Sequence, residues 1–297
     1  MTLITTPFTA LSTADDVLKG VDLTGKRVIV TGGGSGLGAA AARALAKAGA
    51  EVTIAVRKPS AGALPLDLAD LDSVRRFTDA WDGPVDAVIA NAGIMALPHR
   101  TPAPNGWELQ LATNYLGHFA LINGLRPHLQ GGRVVMVSSG AQLRSPVDFD
   151  DPHFERRPYD PWTAYAQSKT ADVLLAIGIG RRWAADGITA NAMSPGYIHT
   201  NLQRHLDDAT MRSFGAMDDD GNLVTPGHFK TPEQGASTEV LLAASPLLAG
   251  VTGRYFTDDN QEAPTVPGGS DQSGVADWAV DPAAADRLWD LGLTGLR

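Results

Sequence analysis

The sequence predicts a doubly wound α/β fold: one parallel sheet of about seven strands with helices on both faces. Three observations carry that prediction. Short β-branched runs such as 27–31 (RVIVT) and 133–138 (RVVMVS) alternate with Ala- and Leu-rich stretches of helical length. Those runs are apolar throughout, as strands buried on both faces are. Between the first strand and the first helix, Thr31 to Gly38 (TGGGSGLG) packs five glycines, a costly cluster unless the chain turns tightly or something approaches it closely. Strand, glycine turn and helix together aim helix N-terminal N–H groups at a phosphate.

Residues 1–25 read as an extension in which STADDVLKG starts a short helix. The predicted strands are 27–31, 52–56, 64–67, 86–90, 133–138, 188–193 and 254–257. The predicted helices are 36–48, 70–81, 105–129, 163–186 and 232–244. Only RKPSAGA (57–63) separates the second strand from the third, whereas a parallel crossover normally takes a dozen or more residues. Segments 143–162 and 197–231 lack apolar periodicity and read as excursions from the sheet, the second as a lid. Residues 258–280 read as irregular, followed by a short helix in DPAAADRLWDLG. The division expected is an extension 1–25, a single domain 26–257 and a C-terminal extension 258–297.

The bulk properties exclude several classes. Net charge is −9 over 297 residues with no basic cluster, which disfavours nucleic acid and anionic membranes. The chain has no cysteine, hence no disulfide, thiolate metal site or thiol nucleophile. No apolar run approaches the ~20 residues of a membrane span, and the N-terminus lacks the features of a secretory signal. A cytoplasmic protein is expected. No metal site is expected either: DDDGN (218–222) lacks the ligands of a calcium loop, with Ala216 and Gly227 where acids are needed.

The glycine stretch fails three familiar patterns. A P-loop needs Lys and Ser/Thr after its last glycine, but Ala39 follows Gly38; GxGxxG is absent; and a GxSxG elbow around Ser35 is broken by Leu37. TGxxxGxG fits. Asn91–Gly93 (NAG) then closes the fourth strand, Ser138 and Ser139 close the fifth, and YAQSK sets Tyr165 and Lys169 four residues apart on one helix face. With the Asn of TNYLGHF and the PG of MSPGYIHT, these motifs fall in the order and spacing of the short-chain dehydrogenase/reductase family, which the sequence resembles over roughly residues 23–257. The long gap between Ser139 and Tyr165, with TNYLGHF and AYAQSKTADVLL, looks most like its retinol dehydrogenase-like branch. The fold implied is Rossmann-type.

Hydride transfer to a carbonyl needs an acid for the oxygen that gains charge. Tyrosine, with an ordinary pKa of about 10, needs a nearby ammonium to serve. The resemblance implies Tyr165 as general acid/base, with Lys169 lowering its pKa and holding the nicotinamide ribose. It also implies Ser139 at the substrate oxygen and Asn114 anchoring a water that links to Lys169. The cofactor cradle implied is Gly32, Gly34, Ser35, Gly36, Leu37 and Gly38 in the turn, with Asn91, Ala92 and Gly93 after the fourth strand. Pro195, Gly196, Ile198 and Thr200 follow the sixth; Asp67 and Leu68 contact adenine, and Thr200 the carboxamide. NAD-preferring members carry an acid at the end of the second strand. Here Arg57 and Lys58 stand in its place and suit a 2′-phosphate, so NADP(H) is expected rather than NAD(H).

The substrate walls are expected from 94–98, 140–145, 146–164 and 197–231. Met95, Leu97, Gln142, Leu143, Trp162, Tyr197, Leu202 and Phe214, with Ser139, suggest a mostly apolar pocket for a lipophilic ketone, aldehyde or alcohol. Two other readings stay open at this point: reduction of a C=N or C=C bond at the same site, or a non-catalytic cofactor-binding protein. The resemblance also allows a homo-oligomer paired through the helices of 105–129 and 163–186.

Overall fold

Seven parallel strands form the sheet of the computed structural model, which describes residues 2–59 and 62–297. They are β1 (Arg27–Thr31), β2 (Glu51–Val56), β3 (Ala63–Pro65), β4 (Ala87–Ala90), β5 (Arg133–Val137), β6 (Thr189–Met193) and β7 (Tyr255–Phe256), in the order β3-β2-β1-β4-β5-β6-β7. The chain runs outward from β1 to β3, then returns to β4 on the other side of β1. That reversal opens a crevice at the carboxyl ends of β1 and β4, where such sheets bind ligands. One layer of helices comprises α3 (Leu71–Asp79), α5 (Gly117–Leu125) and α6 (Pro161–Arg182), and the other comprises α2 (Gly36–Lys47) and α9 (Ser237–Ala244).

The short connection after β2 has a geometric explanation. β3 is only three residues long and pairs with the last three of β2, Ile54 with Ala63 through Val56 with Pro65. The chain therefore returns only roughly 10 Å before pairing, and no helix is needed to carry it. Residues 60 and 61 of that connection lie outside the described residues.

The helix expected over 105–129 begins later and is interrupted. Gly106 at φ +85° makes a turn, and the buried Glu108 caps the backbone N–H groups of Gln110 and Leu111. α4 (Leu109–Leu111) then passes through a π-helical turn, Ala112–Leu116, into α5. Such bulges mark positions where a helix face is re-aimed, and Asn114 sits in this one. Helix 232–244 is likewise broken, into α8 (Pro232–Gly235) and α9. Gly117 allows α5 to lie against the loop after β3: a Cβ there would stand 2.7 Å from the Leu68 Cβ and collide with the Leu68 carbonyl. Gly117→Ala is expected to destabilise the fold by about 1–3 kcal/mol, read as a lowered thermal midpoint.

Both extensions are stitched into the fold. In the first, α1 (Ala14–Val17) packs on α2 and α9. Ile4 and Glu262 exchange hydrogen bonds, and the Gln261 side chain accepts from the Thr6 backbone N–H. Residues 258–280, expected to be irregular, contain a parallel two-strand ladder of β8 (Thr265–Val266) and β9 (Val275–Ala276). Two-residue strands are too short for any periodic signal. The lid itself contains α7 (Asp208–Ser213). The last helix, α10 (Pro282–Gly295), covers the helices through which the resemblance allows pairing with a second copy. Tyr115 Oη donates to the Leu288 carbonyl at 2.7 Å, and Trp289 meets Phe119 and Trp183 edge-on. Burial within this chain accounts for much of their apolar character. Among the described residues no helix is long and apolar enough to cross a membrane.

Candidate active site

One cleft of about 1530 Å³ runs over the carboxyl ends of the strands. Its floor is the glycine turn. Gly32 takes φ +67°, and a Cβ there would stand 3.0 Å from the Ala92 Cα. Asn91 Nδ2 donates to the Thr31 carbonyl at 2.7 Å, and Ala92 N donates to Thr31 Oγ1 at 3.0 Å, locking β1 to the end of β4. Thr31 Oγ1 in turn donates to His118 Nε2, whose Nδ1–H meets the Asn114 carbonyl at 2.8 Å. Burial drives His118 down to about 4, so the ring is neutral and this tautomer follows.

Most sequence-predicted cofactor residues line the cleft: Gly32, Ser35, Gly36, Leu37, Arg57, Asp67, Leu68, Asn91, Ala92, Gly93, Tyr165, Lys169, Pro195, Gly196, Ile198 and Thr200. Gly34, Gly38 and Lys58 do not. Gly38 lies behind the turn, where a Cβ would stand 2.8 Å from the Gly32 oxygen and collide with the Asn91 amide, so it permits close packing rather than contact with a ligand. Lys58 is exposed at the start of the short loop. Sequence reasoning missed Arg204, on the lid, which also lines the cleft. Burial, and then the charge of Arg57, pull Arg204 below the ordinary arginine value, so two cations converge on this end of the cleft. Neither forms an ion pair among the described residues. An arginine in a lid of no periodicity gives no sequence signal of its facing Arg57.

At the other end, α6 starts at Pro161 because Asp160 accepts from Thr163 N, and it carries Tyr165 and Lys169 under the lid. Ser138 is buried and donates to the Lys169 carbonyl at 2.7 Å, whereas Ser139 Oγ, which accepts from Ala141 N at 3.2 Å, lies on the cleft beside Tyr165 and favours its phenolate. Only Ser139 of the pair is thus turned to the tyrosine. Asn114 does not reach Lys169 with its side chain. Its amide clamps the Ile94 backbone, accepting from N at 2.9 Å and donating to O at 3.0 Å, and it also donates to Ser168 Oγ.

The electrostatics differ from expectation. Burial pushes the Tyr165 phenol above its ordinary value, and the pull of Lys169 and Ser139 does not cancel it. Lys169 is also not a free cation: its Nζ donates to Val137 O at 2.8 Å and to Asp172 Oδ2 at 2.9 Å, and the Asp172 charge adds to the effect of burial. Asp172 is a further residue that sequence reasoning missed, although it lies one turn beyond Lys169 in SKTAD.

The substrate end is apolar. Met95, Leu97, Leu143, Trp162, Tyr197, Leu202 and Phe214 line it with Ser139. Trp162 sets its ring edge-on to both Tyr165 and Phe214. Ala96, between two of the lining residues, holds φ +50°, a rare state for a residue with a Cβ, fixed by its N–H to Gln110 Oε1 at 2.8 Å. Gln142, expected in the pocket, is fully buried instead. Its side chain brackets the C-terminal extension, donating to Gly274 O and accepting from Ala276 N. That clamp places Gly269 to Gly274 on the cleft as a wall the sequence did not indicate.

Comparison with known proteins agrees with this architecture. The family model described as short chain dehydrogenase matches residues 26–210. A Streptomyces antibioticus protein named "Probable oxidoreductase" is 62% identical, over 93% of this chain and 99% of its own length. Human retinol dehydrogenase 13 is 35% identical, over 90% of this chain and 83% of its own. A crystal structure of an uncharacterized protein from Mycobacterium paratuberculosis superposes with a TM-score of 0.68 at 33% identity, covering 94% of this chain and 96% of that one. The chain is therefore an oxidoreductase of the short-chain dehydrogenase/reductase family, in its retinol dehydrogenase-like branch, a family that works with NAD(P).

Proposed function

We propose that the protein interconverts a lipophilic ketone or aldehyde and its alcohol with NADP(H), using Tyr165 as general acid/base. The observation that carries this reading is that Tyr165 and Ser139 share an apolar cleft wall, with the Lys169 ammonium buried beside them. The residues present fit the dinucleotide. Gly32 offers a backbone free of side chain at the turn, and Arg57 and Arg204 suit a phosphate on the ribose.

When bound, the nicotinamide supplies or accepts the hydride. In reduction, Ser139 holds the carbonyl oxygen and Tyr165 Oη gives it a proton as its charge grows; in oxidation the phenolate takes that proton back. The Lys169 ammonium favours the phenolate form between these events. The apolar side chains exclude water and accept a lipophilic body, while Trp162 fixes the face of the tyrosine ring.

Titration with NADPH and with NADH, following nicotinamide fluorescence, tests the cofactor assignment. NADPH is expected to bind more tightly, and Arg57→Ala to weaken NADPH by about 10–100-fold, the loss of one charged hydrogen bond, with NADH little changed. Equal affinity for the two cofactors, or a variant that weakens both alike, removes Arg57 from phosphate recognition. Binding of neither cofactor removes the whole assignment.

A further inference from the structure

We propose that Asp172 is a positioning residue for Lys169: its buried carboxylate fixes the ammonium against the Val137 carbonyl and offsets its charge, so that Tyr165 keeps its proton and the site is set toward reduction. This rests on the reading of Tyr165 and Lys169 above and adds to it the direction in which the site is poised.

The geometry is specific. Lys169 and Asp172 lie one turn apart on α6 at 5% and 1% exposure, with Nζ 2.9 Å from Oδ2. Of the three ammonium protons, Asp172 takes one and Val137 O a second, which leaves one for the cleft. Without the carboxylate, a buried ammonium beside Tyr165 would stabilise phenolate strongly. With it, the pull of the ammonium on the phenol is partly offset, and burial outweighs what remains. Asp172 Oδ1 has no hydrogen-bond partner among the described residues, so the carboxylate is held by the lysine rather than by a wider polar network.

Directions of titration agree. Burial works against the Lys169 charge, yet Asp172 and then Tyr165 carry it above the ordinary lysine value. Burial raises Asp172 against the pull of Lys169. Asp172 itself raises Tyr165, opposing Lys169. The other titratable groups coupled to this trio do not supply compensating charge. His118, facing from α5, is neutral, and Tyr255, facing from β7 with Asp258 beyond it, is held protonated by burial.

A titration that needs no substrate tests the proposal. Tyrosinate absorbance is followed against pH for the protein and for Tyr165→Phe; the difference isolates one phenol of five. The same pair is then measured with Asp172→Asn added to both. The wild-type difference is expected to have its midpoint above the ordinary tyrosine value of about 10. The Asp172→Asn difference is expected to rise at a midpoint lower by roughly one pH unit or more, a tenfold gain in phenolate at a given pH. An unmoved or higher midpoint overturns the proposal. If Asp172→Asn does not fold, Asp172→Ser removes the same charge and leaves room for a water. Ketone reduction by Tyr165→Phe separates the two readings. Turnover surviving in that variant overturns the catalytic assignment, whereas an inactive variant with an unmoved Asp172→Asn midpoint overturns only the role of Asp172.

Discussion

Tyr165→Phe is expected to lower turnover of any accepted ketone roughly 10²–10⁴-fold, the range for losing a positioned general acid, with NADPH affinity little changed. The substitution removes one oxygen and leaves the ring, which stacks edge-on with Trp162 and packs with Met95 and Ala96, so the wall keeps its shape. The lost atom is the one whose ionisation Lys169 and Ser139 favour. Lys169→Ala should behave differently. It leaves Asp172 buried with no counter-charge and strips the cation from the wall near Gly93, so it should lower stability, cofactor affinity and turnover together. Single-turnover kinetics with a separate measurement of cofactor Kd distinguishes the two patterns. A Tyr165→Phe enzyme that turns over normally would assign the proton to another group.

The second large effect is one of stability, far from the cleft. Glu239, on α9, is completely buried, and neither carboxylate oxygen has a partner among the described residues. Burial raises its pKa from 4.5 to about 8. The folded state therefore binds this proton more tightly than the unfolded chain does. Stability is complete below about pH 4.5 and falls as pH rises from there toward 8. Across that window the penalty grows to the order of 4 kcal/mol at pH 8. Glu239→Gln keeps the shape and removes the titration, so urea denaturation should find the two proteins alike at pH 4.5 and the variant more stable at pH 8. Parallel pH profiles would mean that folding leaves the titration of Glu239 unshifted.

The sheet was legible because buried parallel strands are apolar throughout and because polar side chains take over where they reach the crevice: Thr31, Asn91 and Ser139 all close or follow strands there. The short connection at 57–63 was legible as an oddity but not as a solution, since only the pairing of Ile54 with Ala63 reveals how short β3 is. The candidate acid/base pair was legible from its four-residue spacing. Its electrostatics were not, because spacing names neighbours on a helix face without saying that Asp172 completes the trio. Gln142 was misplaced for a related reason: it follows Ser139 closely in sequence, yet a tight 3₁₀ turn directs it away from the cleft into the C-terminal extension. Arg204 and the wall of 269–274 belong to segments without periodicity, positioned by tertiary contacts alone.

The hydrogen bond between Ile4 and Glu262 joins residues 258 positions apart. In a chain made from its N-terminus, Ile4 waits for 258 further residues before it can be tied down. The wall of 269–274 and its clamp to Gln142 come later still. Such distant closures are slow relative to the local turns and helices of the sheet. Assembly accordingly has two tempos: the glycine turn and the strands around it can settle early, and the substrate wall closes only once residues 274 and 276 have been made.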